Sequence, residues 1–562
     1  MEDELKLQEA MADPIAFAAS SDPDNLYMHE AMRQPDKKEF IKAMKKEVYS
    51  HEVNDHWERV KRTNIPKQHK VLPSVWAMKR KRRIATREVY KWKARLNIHG
   101  GKQEKGINYW ETYSPMVTWN SIRTFLILAI LNNWHTRQID FVLAYPQADV
   151  ECDMYMEIPR GFDLPTGENP KDYALKLKRN LYGAKQASRV WAKYLTKGLI
   201  ARGFVQSKVD ECVYYRGNMI LLAYVDDCII ISPNDEDIDE IIAMLKEPTK
   251  HTRAFDVTDE GQLSDYLGVK IERRDDGTIL LTQPHLIDQI ISDLGLKPNT
   301  KTKDLPALSS KTLNRDTNGH PFREDWHYRS IIGKLNFLEK STRPDLAYSV
   351  HQCARFSSDP KASHAQAIKQ IGRYLMANRD KGIILQPNAN MGLEDWVDAD
   401  FCGSWDREYA IEDPTTARSR SGYVIRYCGC PITWRSKLQT EVALSTTEAE
   451  YVALSQSLRE VIPIMNLLQE AKDKHINVHH VKPIIRCTVF EDNAGALELA
   501  NVPKMRARTK HINSKYHHFR SFVSRSIVSV IKCHTTDQLA DNFTKPTTLV
   551  LFLKHRKGLM GW

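Results

Sequence analysis

The chain reads as an α+β protein that continues into a separate α/β portion, and three features of the sequence predict this. From residue 71 to about 235, short β-prone runs alternate with helix-period segments. Near Gln386-Pro-Asn-Ala-Asn-Met-Gly392 the pattern breaks, and a new strand pattern begins beyond it. Within the first portion, the apolar run from Met219 to Ile231 is interrupted by two adjacent carboxylates, Asp226 and Asp227.

In chain order, residues 1–30 are polar and predict no fixed structure, and Phe40 to Val48 has the spacing of an amphipathic helix. A Pro/Lys-rich connector follows at 64–70. Helices are predicted over about Ser121 to Asn132 and Ala187 to Gly203, and 236–390 is mixed and helix-rich. This divides the chain into an N-terminal extension (1–70), two central portions (71–245 and 246–390) and a C-terminal one (391–562). There are no internal repeats and no low-complexity tract.

With 562 residues the chain can bury several cores. Its net charge of +11 and pI near 9.0 favour a polyanionic partner. The excess is concentrated between Lys79 and Lys105, where basic residues are interleaved with Trp76, Tyr90 and Trp92, a composition suited to a nucleic-acid or nucleotide groove. The nine cysteines show no C-x-x-C pair and are expected as reduced structural thiols of an intracellular protein. The acidic start is no signal peptide, and the longest apolar stretch, Phe125 to Leu131, is too short to span a bilayer, so no membrane partner is expected.

The Asp226-Asp227 pair is expected at the tip of a hairpin, with a tight turn at Val225-Asp226. Two unpaired charges there would cost several kcal/mol if buried. Oxygen-liganded divalent cations would remove that cost, and two Mg²⁺ about 4 Å apart are a common device for phosphoryl transfer along nucleic acid. A third carboxylate is needed. Asp140 is a candidate, with a structural role equally open on the residues alone: it shares one strand face with the small Val142 and Ala144, which leaves room for a metal, while Ile139, Phe141 and Leu143 take the other.

The ordered strings Gln138-Ile-Asp140, Ala144-Tyr145, Met154-Tyr-Met-Glu-Ile-Pro-Arg-Gly-Phe162, Leu181-Tyr-Gly-Ala-Lys-Gln-Ala-Ser-Arg-Val-Trp191 and Tyr224-Val-Asp-Asp227 resemble the reverse transcriptase of Ty1/copia-type retrotransposons. Tyr90 to Leu96, Glu111 to Pro115, Tyr266-Leu-Gly268, Tyr328 to Gly333 and Thr342 to Asp345 extend the resemblance from about residue 28 to the C-terminus. It implies a right-hand polymerase of fingers, palm and thumb. Asp140, Asp226 and Asp227 would hold two Mg²⁺, or Mn²⁺ in their place. Tyr145 would exclude a ribose 2′-hydroxyl. Arg95 with one of Lys79, Lys81 or Lys93 would grip the triphosphate. Lys185 and Gln186 would floor the nucleotide site, with Tyr224, Leu267 and Gly268 at the primer and template. The implied partners are an RNA template, a DNA primer, their hybrid and deoxynucleoside triphosphates. Ala184 and Ser188 depart from the family's usual Leu and Pro; the hairpin Lys81 to Arg87 lacks its usual Gly; and Asn97-Ile98-His99 replaces a more apolar-basic run.

Beyond the break, Trp396-Val-Asp398-Ala-Asp400, Leu444 to Tyr451, Phe490-Glu-Asp492-Asn493 and Leu539-Ala-Asp541 resemble the α/β ribonuclease H-like domain that follows the polymerase in the same family. That domain gathers four carboxylates around two metal ions. Ser445-Thr-Thr-Glu448 has the form of a capping box, which gives Glu448 a structural task. Glu450 borders the apolar stripe of Tyr451, Leu454, Leu458, Ile462 and Met465, so it is the expected ligand together with Asp398 (preferred to Asp400), Asp492 and Asp541. His534 is a candidate for assisting product release. Lys504 to His511 and Tyr516 to Arg520 would face the hybrid backbone.

The sequence therefore predicts a working polymerase with hybrid-directed ribonuclease activity. A decayed copy that only binds nucleic acid is the alternative, and a host polymerase or stand-alone nuclease is disfavoured because both sites occur in this order. The chain is expected to be part of a longer polyprotein, or a truncated insertion, located in a cytoplasmic retrotransposon particle or in the nucleus.

Overall fold

The computed structural model describes residues 24–82, 88–162, 164–307, 312–407, 413–502 and 514–562. The segment 1–23, the tip of the Lys81 to Arg87 hairpin (83–87) and the basic run 504–511 lie outside the described residues. Two compact units emerge, one running to Val117 and resuming over Thr136–Gln262, the other combining Thr118–His135 with Leu263–Trp562.

In the first unit the helix Lys37–Val53 extends the predicted one at both ends and buries Phe40, Met44 and Val48, a four-residue repeat on one face. It covers a hairpin of the strands Ser74–Arg82 and Val89–Ile98. Strand alternation sends Trp76, Met78, Ala94 and Leu96 into this core. This corrects the aromatic-groove expectation: Trp76 is buried, with its indole N–H on the Arg160 carbonyl, and Trp92 donates to Asp36. Of the three aromatics only Tyr90 is exposed.

The larger sheet of this unit runs Val257–Gln262, His135–Phe141, Asp227–Ser232, Met219–Tyr224, Val213–Arg216, Val205–Gln206 in spatial order. Met219–Tyr224 and Asp227–Ser232 are central and buried on both faces, which explains their unbroken apolar sequence. The helices Ala187–Ile200 and Asp235–Leu245 pack Trp191, Leu195, Leu199, Ile238 and Ile241 against one face.

The second unit joins a helical cluster to two sheets. The helices Pro284–Asp293, Tyr328–Ser341, Ala347–Ala354 and Ala362–Ala377 share one apolar core. The helix Trp119–Leu131 belongs to this unit, although in sequence it lies within the 71–245 portion. It is apolar nearly all round, so it needs burial on every side. Its Arg123 donates at 2.7 Å to each of the carbonyls of Ile432, Lys340 and Ser341. The five-stranded sheet has the spatial order Cys430–Leu438, Arg420–Tyr427, Leu393–Asp400, Cys487–Glu491, Val528–Lys532. Its first three strands in the chain form an antiparallel meander and the last two add in parallel. The 28-residue helix Thr446–Asp473 packs on Leu393–Asp400 and Arg420–Tyr427. All nine cysteines are free, and among the described residues no helix is long and apolar enough to cross a membrane.

Two candidate carboxylate centres

In the first unit Asp226 lies in the turn between Met219–Tyr224 and Asp227–Ser232, and Tyr224 pairs directly with Asp227. Val225 is left-handed at φ 55, a strained conformation for a β-branched residue. Two hydrogen bonds hold the turn there: the Trp191 indole N–H reaches the Val225 carbonyl at 2.7 Å, and the Phe141 N–H reaches the Asp226 carbonyl at 2.9 Å. The second bond ties the hairpin to the strand His135–Phe141, which carries Asp140. Gln138 on that strand donates to the Asp227 carboxylate. Burial, then the charges of Asp226 and Asp140, push Asp227 up to about 6; burial and Asp226 also raise Asp140. The three acids thus form one electrostatic cluster, and their mutual repulsion suits a shared cation.

The cations that oppose this charge come from the smaller hairpin. Lys79 stands opposite Lys93, Lys81 opposite Lys91, and Ala77 opposite Arg95, so all these side chains share a face. Like charges directly across a strand pair are destabilising, and a polyanion would relieve them. Lys81 lowers both Asp140 and Asp227, Lys93 lowers Asp140, and Lys93 itself is pulled down to about 8 by burial, then by Arg95 and Lys81. Lys81 and Lys93 act on the acids, while Lys79, opposite Lys93 on the same face, is exposed and is not among the charges acting on them. The Arg95 guanidinium lies 3.7 Å above the Tyr182 ring, which in turn packs on Tyr145 at 4.7 Å between centroids. Tyr145 also hydrogen-bonds Ser188, one of the positions that depart from the family pattern.

The other two candidates serve the local scaffold. Gln186 is buried, accepts from Gln103 at 3.0 Å and donates to the Asn108 carbonyl. The Lys185 N–H bonds Gln103, and its ammonium lies against Tyr109. Leu267 and Gly268 lie in the second unit, as the two-residue loop between Asp265–Tyr266 and Val269–Arg273. Both have positive φ, 50 and 77, as a type I′ hairpin turn requires. A Cβ on Gly268 would meet Phe337 at 3.3 Å.

In the second unit Asp398 comes from the central strand Leu393–Asp400, Glu450 from the start of the helix Thr446–Asp473, and Asp492 directly follows the strand Cys487–Glu491. Among the described residues they are the one trio that can offer one carboxylate oxygen each, all within 4.8 Å of one another. The capping reading of Glu448 holds with a shift of one residue. The Ser445 hydroxyl accepts from the Glu448 N–H, but the Glu448 carboxylate accepts from Leu444 N–H at 2.8 Å. Glu450 is 6 % exposed and accepts from the Ala399 N–H, while its Oε2 is buried with no hydrogen-bond donor. A buried carboxylate oxygen without a donor beside two further carboxylates fits a hard divalent cation.

Burial raises Glu450 well above the usual carboxylate range, and of the charges acting on it that of Glu491 has the largest effect. Glu491 is itself fully buried and strongly raised. The sequence reading passed over this fifth acid, although its place at the end of an inward-facing strand position was a usable signal. Burial lifts Asp398 to about 6 against the pull of Lys545. Asp541 opens the short helix Asp541–Thr544 and is raised by burial, with Lys545 opposing. The Lys545 ammonium is 2.7 Å from Asp541 Oδ1 and 3.8 Å from Asp398 Oδ2, and the Thr544 hydroxyl donates to the same Asp398 oxygen. Asp400 is turned toward Arg420. His534 caps the turn Thr535–Asp537, accepting from the Thr536 N–H.

Comparison with known proteins assigns the chain a family. Residues 54–309 match the family model described as reverse transcriptase (RNA-dependent DNA polymerase). The retrovirus-related Pol polyprotein from transposon TNT 1-94 of Nicotiana tabacum is 32% identical over 542 residues, 94% of this chain and 38% of the relative. That from transposon RE1 of Arabidopsis thaliana is 31% identical over 544 residues, 96% of this chain and 34% of the relative. The putative transposon Ty5-1 protein of Saccharomyces cerevisiae is 28% identical over 329 residues, 58% of this chain and 100% of the relative. The chain belongs to the Ty1/copia-type retrotransposon reverse transcriptase polyproteins. It spans little more than a third of the two plant relatives. A solved foamy viral protease-reverse transcriptase in complex with double-stranded DNA aligns at a TM-score of 0.46 and 12% identity, over 88% of this chain and 69% of that one, too distant a likeness to carry an argument.

Proposed function

We propose that this chain copies RNA and DNA templates into DNA, adding deoxynucleotides to a primer 3′-hydroxyl, and cleaves the RNA strand of the resulting hybrid. One observation carries the reading: each unit builds its own multi-carboxylate centre, Asp140 with Asp226 and Asp227 in one and Asp398, Glu450, Asp492 and Asp541 in the other. Divalent ions, Mg²⁺ or Mn²⁺, held by these acids would activate the attacking hydroxyl or water and neutralise charge on the phosphate. Lys81, Lys93 and Arg95 would bind the triphosphate from the shared face of their hairpin, a role for preorganised cations in phosphoryl transfer. Tyr145, packed on Tyr182, would bound the sugar side of the nucleotide and reject a 2′-hydroxyl.

Fingers and palm of a right-hand polymerase are the reading of the first unit. The helical cluster would be the thumb and connection, with Leu267 and Gly268 meeting the primer. Strand order and direction in the five-stranded sheet support a ribonuclease H-like fold for 391–562. Such a protein would work on RNA template, DNA primer and hybrid in a cytoplasmic particle or in the nucleus.

Primer extension on oligo(dT)-primed poly(rA) with Mg²⁺ or Mn²⁺ tests the polymerase, beside the Asp226→Asn/Asp227→Asn variant. A labelled RNA–DNA hybrid tests the nuclease, beside Asp398→Asn. Extension and cleavage by the native chain, each lost in its own variant, are expected. Hybrid binding without either reaction would refute the enzymatic reading and leave a nucleic-acid-binding remnant.

A further inference from the structure

We propose that Tyr182 is a positioning residue shared by the triphosphate grip and the sugar gate: its ring supports both the Arg95 guanidinium and the Tyr145 ring, so that grip and gate are set together. The inference rests on the reading of Arg95 and Tyr145 as nucleotide contacts. The local sequence fixes where this ring lies. Arg95 and Asn97 share one face of the strand Val89–Ile98. Asn97 bridges Tyr182, and the Ile98 N–H donates to the Tyr182 carbonyl at 2.9 Å. Gly183 lets the loop come that close. Its φ of 86 is left-handed, and a Cβ there would meet the Ile98 carbonyl oxygen at 2.2 Å. On the other side Leu181 is buried in the core that includes Ala94, Leu96 and Ile98. Tyr182 is thus pinned beside Asn97, two residues beyond Arg95, and is only 6% exposed.

Arg95 depends on this ring. Its guanidinium lies 3.7 Å from the ring centroid, and its Nε is buried with no hydrogen-bond partner. The aromatic face therefore sets the plane of the guanidinium. A guanidinium laid flat on a ring leaves its edge donors available for phosphate oxygens.

Tyr145 depends on it as well. The two rings lie 4.7 Å apart between centroids with 44° between their planes, an attractive aromatic contact. Ser188 fixes the hydroxyl end of Tyr145, and Tyr182 sets the tilt of its ring. The charge of Asp226 acts on both tyrosines, which places the pair beside the Asp226-Asp227 hairpin. A gate selects by where its edge stands, and a displacement of about 1 Å is enough to weaken selection. Removing the Tyr182 ring should loosen grip and gate in one step. A residue that only supports the fold would lower activity without changing which sugar is accepted.

The test is steady-state incorporation of dTTP and of UTP on oligo(dT)-primed poly(rA). It compares the full chain with Tyr182→Leu, Tyr182→Phe and Tyr145→Ala, each checked by circular dichroism. Tyr182→Leu is expected to raise the KM for dTTP about tenfold with less effect on kcat, and to raise the UTP-to-dTTP ratio of kcat/KM about tenfold. Tyr182→Phe keeps the ring and should hold both values within about twofold of the native chain. Tyr182→Met takes the place of the Leu variant if the latter is not folded. An unchanged ratio in Tyr182→Leu beside a raised one in Tyr145→Ala would overturn the proposal and leave the gate reading intact. Equal losses in Tyr182→Phe and Tyr182→Leu would overturn it too. An unchanged ratio in Tyr145→Ala, or no extension by the native chain, would overturn the reading beneath the proposal and the proposal with it.

Discussion

Asp395 allows the energetics of the second unit to be tested quantitatively. It lies on the strand that carries Asp398, fully buried, and its two carboxyl oxygens are each 2.6 Å from the Ser457 hydroxyl of the helix that carries Glu450. A hydroxyl carries one proton, so a protonated carboxyl, donating from one oxygen and accepting on the other, satisfies both short contacts better than a carboxylate sharing that one proton. Burial pushes Asp395 up to about 7, with the Ser457 bond opposing. Because the folded value is raised, the folded chain holds this proton more tightly than the unfolded one. The contribution to stability is complete below 3.8 and is lost as the pH climbs through 7. Between about pH 5 and pH 8 the loss is roughly 2.5 kcal/mol.

Asp395→Asn removes the titration while keeping shape and hydrogen bonding. Urea unfolding of native chain and variant, followed by hydrogen exchange at the amides of 393–400, measures the difference at each pH. The other buried acids titrate in both proteins, so the comparison isolates this residue. The variant is expected to gain on the native chain steadily from pH 5 to pH 8, by about 2.5 kcal/mol in all. Parallel stability curves would refute the protonated-carboxyl argument.

Four further outcomes are expected. Glu450→Gln should lower hybrid cleavage by about 100-fold or more without lowering the melting temperature, because it removes a buried charge beside Glu491. Glu448→Gln, at the helix start, should leave cleavage within about twofold and cost under about 1 kcal/mol in a thermal melt. Trp191→Phe leaves the Val225 carbonyl without its indole donor, so it should cost about 1–2 kcal/mol and slow primer extension while hybrid cleavage is unchanged. Lys93→Met should raise the KM for deoxynucleotide about tenfold, and Lys79→Met by less than about threefold, in steady-state extension assays.

Much of both centres was legible because the relevant signals were local. The hairpin at Asp226-Asp227, the strand bearing Asp140 and the choice of Glu450 over Glu448 each followed from alternation or helical phase within a few residues. What could not be read depended on register and on side-chain direction. Lys79, Lys81 and Lys93 are equivalent in sequence and share one face of the hairpin, and only the burial of Lys93 and the action of Lys81 and Lys93 on the acids separate them from Lys79. Trp76 and Trp92 looked like a groove lining because composition does not reveal which strand face is inward. The helix Trp119–Leu131 was located by its spacing, but an all-round apolar helix gives no sign of which core will take it.

The two carboxylate clusters solve the same electrostatic problem differently, and the difference bears on how each should respond to added cations. Around Asp140, Asp226 and Asp227 the opposing charge comes from Lys81 and Lys93 on another sheet, so repulsion is relieved at longer range and the acids stay partly exposed. Around Asp398 and Glu450 the acids are nearly fully buried, and one of the counter-charges, Lys545, comes from the same turn as Asp541. Screening by salt weakens exposed pairs far more than buried ones. Raising ionic strength should therefore impair nucleotide binding at the first centre well before it alters ion binding at the second, a separation that one protein sample can display in parallel extension and Mn²⁺ titrations.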